Sequence, residues 1–433
     1  MDILEIIDKK RNKQDLSYDE IKFFINGYTK EKTIKDYQAS ALLMAIAING
    51  MNDKEIFNLT KLMLESGKII DFSKSKGIKI DKHSTGGVGD KVSLILAPIC
   101  VALGIKVAKL SGKGLGHTGG TIDKLEAIGV DCYLKEKQYV PLLNKVGMFI
   151  GAQTDDLVVA DKYLYALRNS TSTVQSIPLI ASSVASKKLA LKTDYVFIDV
   201  KVGDGGFSKT IRQATTLSKA LLQIFKSFKR NAIIHITNMT QPLGRAIGNA
   251  IEVKAAIDFL KGNYECNEIK ELIYEFACDI LISTHITNNK KDALNKIDQV
   301  IKNGAALKIF YDWVRLQGAN MKSLKNDSFF NPKYKYQVKA NRSGYLNYKS
   351  TKEIGMCSFL LGAGRLRKED SLDYQAGIWL NKIKNEHVNN NDVIATLYSS
   401  KPIKKECINN FVKNVEYSNN KYTHTKEIVK VMK

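Results

Sequence analysis

Cysteine is scarce in this sequence and never closely spaced: Cys100, Cys132, Cys266, Cys278, Cys357 and Cys407 lie far apart, with no C-x-x-C among them. A disulfide-stapled fold and a cysteine zinc site are therefore not expected, and a reduced, cytoplasmic compartment is. The apolar run from Leu94 is interrupted by Pro98 and is too short to cross a bilayer. The first residues place Asp2, Glu5 and Asp8 where a secretory signal would carry a basic and then an apolar segment. Neither secretion nor membrane insertion is expected. Acidic residues are outnumbered, with Lys+Arg 66 against Asp+Glu 44 and a net charge of +22. Such a surplus draws anions. The lysines are scattered, however, with no basic stripe interleaved with aromatics, so no dedicated nucleic-acid surface is expected. What remains, 44% hydrophobic and 25% charged over 433 residues, is an ordinary globular composition with room for two or three domains.

The most informative stretch runs from Ile80 to Gly129. It holds two glycine-rich loops, KHSTGGVGDK (82–91) and SGKGLGHTGGT (111–121), each opening onto a helical pattern. Between them, Val92 to Leu103 reads as a buried helix and Lys106 to Leu110 as a strand. Glycines let backbone approach a ligand closely, and the first N–H groups of a helix favour an anion. Lys82, Ser84, Thr85 and Ser93 from the first loop, with Lys109, Ser111 and Thr121 around the second, are the donors that a phosphate needs. A nucleotide P-loop is disfavoured, because Asp90 separates Gly89 from Lys91 and Val92 follows. Gly114, Gly116 and Gly119 match a G-x-G-x-x-G spacing, so a dinucleotide site stays open as a rival, although Asp131 precedes no clear cofactor signature.

Elsewhere, Ser17 to Glu20 forms a capping box, and helices are predicted after it, after Asp36 and after Asp53. Asp194 to Asp199 and Ala232 to Thr237 are strand candidates flanking a helix over 212–228. Such alternation implies a mostly parallel sheet. From about Tyr336, short strand patterns and turns take over. In 161–190, Ser183 and Lys187 share a helix face; taken alone, this is best read as a solvated helix with a lysine near its C-terminus. Lys188 and Lys192 read as solvated neighbours, Lys91 as a stabiliser of its own loop, and His117 as part of a glycine turn outside the chemistry. A lone His83 reads first as a structural histidine.

Together the loops KHSTGGVGD and SGKGLGHTGGTIDKLE resemble the signature of the pyrimidine-nucleoside phosphorylases, the family that includes thymidine phosphorylase. The likeness extends to DYQASALLMAIAINGMN, to DKYLYALRNSTSTVQSIPLIASSVASKKLA and to QPLGRAIGNAIEVKAAI. Lys113 stands where that family usually has arginine, and KVGDGGFSKT departs from its KVGSGAFMKT at Asp204, Gly206 and Ser208. The resemblance implies three parts. These are a small all-helical domain (1–66, completed by about 158–192), a larger α/β phosphate-binding domain with a mostly parallel sheet (72–157 and 193–330), and a C-terminal α+β domain (336–433). It implies phosphorolysis of uridine, thymidine and 2′-deoxyuridine, with inorganic phosphate as co-substrate and no organic cofactor. Lys82, Ser84, Ser93, Lys109, Ser111 and Thr121 would hold phosphate. His83, Tyr165, Arg168, Ser183 and Lys187 would hold the pyrimidine, with His83, Arg168 and Lys187 catalytic. Gly89 and Glu252 are candidates for a monovalent cation such as K⁺, although Glu252 reads equally well as a first-turn helix acid. A cytoplasmic homodimer acting on a nucleoside, without nucleic-acid or membrane partners, is the expectation.

Overall fold

The computed structural model describes residues 1–433 except Leu115, His117, Thr118, Leu366, Lys368, Glu369 and His424, so His117 lies outside the described residues. Five strands in chain order, β1 (Lys79–Ser84), β2 (Lys106–Ser111), β3 (Met148–Ala152), β4 (Tyr195–Val202) and β5 (Asn231–Asn238), build a parallel sheet. There follow β6 (Ala246–Gly248), β7 (Tyr334–Lys339), β8 (Gly344–Tyr348), β9 (Gly377–Leu380), β10 (His387–Val388), β11 (Val393–Ser399), β12 (Val415–Ser418) and β13 (Ile428–Met432). The main sheet has the order β13-β5-β4-β1-β2-β3, and the smaller sheets are β10-β8-β12 and β6-β9-β11-β7.

That order fixes where a ligand can bind. The chain moves outward from β1 through β2 to β3, then crosses back to lay β4 and β5 on the other side. A crevice opens at such a reversal, outside the C-terminal strand ends. Here those ends carry Lys82-His83-Ser84, Lys109-Leu110-Ser111 and Asp199 to Val202.

Strand alternation covers both sheet faces. Val107, Met148, Ile150 and Phe197 face one core with the helices Val92–Ala102 and Asn267–Ser283. Ala108, Leu110, Phe149, Val196 and Ile198 face the other, which is continuous with the N-terminal helices. Those helices, Ile3–Arg11, Tyr18–Asn26, Asp36–Asn49 and Asp53–Glu65, pack with Val159–Ser170 and Ile177–Ala190. Asp36–Asn49 is apolar nearly all round and needs neighbours on several sides. A buried Lys10–Glu55 pair at 2.7 Å and a Thr60 to Ser182 hydrogen bond at 3.1 Å hold the bundle together. The capping box is present, with Glu20 N–H donating to Ser17 and Ser17 N–H to Glu20.

Two strands exchange between parts of the chain. β6 leaves the α/β region to pair with β9, and β13, the last strand, returns to pair antiparallel with β5.

Candidate active site

The first glycine loop begins where β1 ends. Lys82 points into the protein, 3% exposed, and its ammonium meets Asp199 of β4 at 3.2 Å. Asp199 also takes Lys201 at 2.9 Å and accepts a hydrogen bond from the Thr237 hydroxyl at 2.6 Å. Lys109 lies three residues beyond the Lys79–Lys106 pairing, as Lys82 does on β1, and donates its ammonium to the Lys82 carbonyl. It makes no ion pair among the described residues. Burial and the neighbouring charge of Lys188 push its pKa down to about 7. An arriving anion would raise it again. Phosphate binding above pH about 7 is therefore expected to take up protons, an uptake that Lys109→Met removes. Calorimetric titration in buffers of different ionisation enthalpy checks this, and an unchanged uptake in the variant rejects it. Folding carries the opposite sign: burying Lys109 releases its proton, so the depressed pKa favours folding at high pH, and this contribution is lost as pH falls to about 7.

Ser84 donates to Asp90 at 2.5 Å and accepts from the Gly86 N–H at 3.2 Å, curling the loop on itself. Burial alone would raise the Asp90 pKa, but the ammonium groups of Lys201, Lys82 and Lys124 hold it well below the usual carboxylate range. Ser93 is buried in the first turn of Val92–Ala102, and Ser111 and Thr121 flank the second loop. Thr85 turns away, its hydroxyl accepting from the Lys201 N–H at 2.9 Å. The two loops are joined by Lys124, which donates to the Asp90 carbonyl at 2.7 Å and pairs with Glu252 at 2.8 Å.

The second cluster comes from two helices. Arg168 ends Val159–Ser170, buried, and donates to the carbonyls of Val174 at 2.9 Å, Leu179 at 3.2 Å and Thr173 at 3.4 Å. It thereby folds the turn that delivers Ile177–Ala190. Lys187 on that helix pairs with Asp161 at 2.6 Å and reaches the Ser183 hydroxyl at 3.3 Å. Its ammonium lies 5.6 Å from the centre of the Tyr165 ring and the Arg168 guanidinium 5.8 Å. Tyr165, Arg168, Ser183 and Lys187 are thus one constellation, with Tyr165 37% exposed.

The neighbouring lysine corrects the sequence reading. Lys188 is not solvated: it is 2% exposed, pairs with Asp81 of β1 at 2.9 Å and donates to the Leu110 carbonyl at 3.1 Å. Consecutive residues therefore point to different places, Lys187 to the aromatic cluster and Lys188 to the strand ends. Lys192 is exposed, as expected. His83 follows Lys82 at the C-terminal end of β1. Burial pushes its pKa well below the ordinary value, and Lys188, Lys109, Lys82 and Lys187 act in the same direction, so the imidazole is neutral in the free protein.

Two of the family departures, Lys113 and Asp204, have local explanations. Lys113 pairs with Glu126 at 3.1 Å. Asp204 turns outward, accepting from the Ser350 hydroxyl at 2.6 Å and the Lys352 N–H at 3.0 Å at the start of the helix Thr351–Ser358. It does not oppose an anion. Asp81, Asp161, Asp199 and Lys201, which order the functional side chains, escaped the sequence reading.

Residues 4–67 match the helical bundle domain of the glycosyl transferase family, 76–307 its α/β domain, and 345–418 the pyrimidine nucleoside phosphorylase C-terminal domain. Fold and site thus define a glycosyl transferase. Thymidine phosphorylase of Mycoplasmoides pirum is 49% identical over 420 residues, spanning 96% of this chain and all of that one. Pyrimidine-nucleoside phosphorylase of Bacillus subtilis is 44% identical over 418 residues, 96% of either chain. The chain belongs to the pyrimidine-nucleoside phosphorylase family, which includes the thymidine phosphorylases. Anthranilate phosphoribosyltransferase from Thermus thermophilus shares the fold, with a TM-score of 0.57 at 14% identity over 72% of this chain and 99% of that one.

Proposed function

We propose that this protein catalyses reversible phosphorolysis of pyrimidine nucleosides, acting as a pentosyltransferase on uridine, thymidine and 2′-deoxyuridine. The observation that carries the reading is the consecutive lysine pair that bridges two polar clusters, Lys188 reaching Leu110 and Asp81 at the strand ends and Lys187 standing with Arg168 beside the Tyr165 ring. A phosphate held by Lys82, Ser84, Ser93, Lys109, Ser111 and Thr121 would lie on one side of it. A base against Tyr165, Ser183, Lys187 and Arg168 would lie on the other.

In the reaction a phosphate oxygen forms a bond to C1′ as the bond from C1′ to the base nitrogen breaks, and the base leaves with that electron pair. Positive charge builds on the sugar and is countered by the phosphate. Negative charge spreads into the pyrimidine carbonyls and is countered by Lys187 and Arg168. A neutral His83 serves as an N–H donor to the departing base, and phosphate bound nearby raises its basicity towards proton transfer. Attack opposite the leaving group inverts C1′. No organic cofactor is needed, since phosphate itself is the nucleophile.

Base release from uridine, thymidine, 2′-deoxyuridine and cytidine, each with and without inorganic phosphate, tests this. Phosphate-dependent release from the first three, with an α-pentose 1-phosphate by NMR, is expected; no release from any of them rejects the reading. A cytoplasmic homodimer fits the same picture. Tyr37 (73% exposed), Met44 and Ile48 (74%), seven and four residues apart, share one face of the helix Asp36–Asn49, an apolar strip on the helical domain that a second copy would cover. Light scattering on the purified protein should give twice the 48.4 kDa chain mass. All six cysteines are unpaired, in keeping with the reducing cytoplasm.

A further inference from the structure

The family resemblance points to a monovalent cation at Gly89 and Glu252, and the residues there do not fit one. Gly89 has φ +78°, and a Cβ on it would lie 2.7 Å from the Leu243 carbonyl oxygen and 3.1 Å from that of Ala246. Carbonyls crowded at a turn are what a soluble cation would ligate. Here the chain supplies its own cation. The Lys91 ammonium, fully buried, donates to the Leu243 carbonyl at 2.8 Å and meets Glu265, 2% exposed, at 3.1 Å. The other Glu265 oxygen accepts from the N–H groups of Arg245 at 2.6 Å and Ala246 at 3.0 Å. Glu252 is also taken, by Lys124 at 2.8 Å and the Gly248 N–H at 3.0 Å.

We infer that Lys91 is a tethered replacement for a monovalent cation, and that the protein neither requires nor binds K⁺ at this turn. An ammonium and K⁺ carry the same charge and have similar size, so they compete for one place. With Lys91 present, Glu265 is already neutralised. Adding K⁺ would leave a net positive charge in a dry interior, which is strongly unfavourable. The latch has a mechanical consequence. Lys91 closes the phosphate loop, and Leu243 to Ala246 leads directly into β6 of the C-terminal sheet, with the Leu243 N–H bonded to the Val88 carbonyl at 3.0 Å. Lys91 therefore fastens the phosphate loop to the segment that carries the C-terminal domain. A covalently attached cation does this at any salt concentration, whereas a soluble ion would act by mass action.

The test compares thermal midpoint and kcat/KM in potassium, sodium and tetramethylammonium chloride at equal ionic strength. For the wild type both are expected to be the same in all three salts; a gain specific to K⁺ overturns the inference. Lys91→Ala empties the place and is expected to lower the midpoint by roughly 5–10 °C in tetramethylammonium, and kcat/KM by roughly 10–100-fold. K⁺ or NH₄⁺ should restore both. Lys91→Met, which fills the space without charge, should lose as much and recover nothing. A Lys91→Ala protein with wild-type midpoint and activity in tetramethylammonium overturns the inference, and should that variant not fold, the wild-type comparison still decides. The thermal readout is independent of substrate. Only the activity readout rests on phosphorolysis, so a failed assay with an intact thermal result counts against the functional reading alone.

Discussion

Lys82→Met should lower kcat/KM for phosphate by roughly 10²–10³-fold while leaving a folded protein, whereas Asp199→Asn should endanger the fold itself. The difference follows from how the buried charges are shared. Asp199 holds Lys82 at 3.2 Å and Lys201 at 2.9 Å, with the Thr237 hydroxyl at 2.6 Å. Removing Lys82 leaves Asp199 neutralised by Lys201, so the loss falls mainly on phosphate, which is deprived of a preorganised ammonium. Removing the Asp199 charge leaves Lys82 and Lys201 buried together without it, beside Lys109. Separating a buried charge from its partner costs about 3–5 kcal/mol, a large fraction of the roughly 5–15 kcal/mol that holds a domain together. Urea denaturation and steady-state kinetics with phosphate varied against saturating nucleoside separate the two effects. A Lys82→Met enzyme with unchanged phosphate kinetics removes Lys82 from the site.

The contrast between the two residues also marks how far the sequence could be read. The glycine loops announced themselves because φ > 0 and close backbone approach leave a compositional trace: Gly86 and Gly89 both adopt positive φ. The alternation of strands and helices was equally plain, and Val92–Ala102 and Lys106–Ser111 fall within a residue of where periodicity puts them. Charge burial was not legible. Lys188 sits in a helix with apolar residues on every side, so no polar face declares which lysine turns inward, and only its partner Asp81 on a distant strand decides. Asp199 is hidden for the same reason, an acid inside a strand two of whose partners, Lys82 and Thr237, come from other strands. The return of β13 to the main sheet depends on a pairing with β5 almost two hundred residues away, about which local pattern is silent. Arg168 was placed in the site by resemblance, but its hold on its own turn needed coordinates.

That second role shapes the last expected result. Arg168→Ala should lose roughly 10²–10³-fold in turnover and about 2–5 kcal/mol of stability, and Arg168→Lys should not rescue either. A guanidinium has five N–H donors in a rigid fork. Three are given to the carbonyls of Thr173, Val174 and Leu179, one each from Nε, Nη2 and Nη1. One donor on each terminal nitrogen is left over, enough to meet a pyrimidine carbonyl while the turn stays closed. Lysine has a single nitrogen and cannot span three carbonyls and a ligand at once. If Arg168 only held the turn, weakened nucleoside binding and lower stability would follow with kcat largely kept at saturation. If it also stabilises the departing base, kcat itself falls. The second outcome is expected, because the guanidinium flanks the exposed Tyr165 ring alongside Lys187, where the leaving pyrimidine would gather its charge. Near-normal turnover in Arg168→Ala would sever the turn from the chemistry and leave Lys187 and His83 to stabilise the base without it.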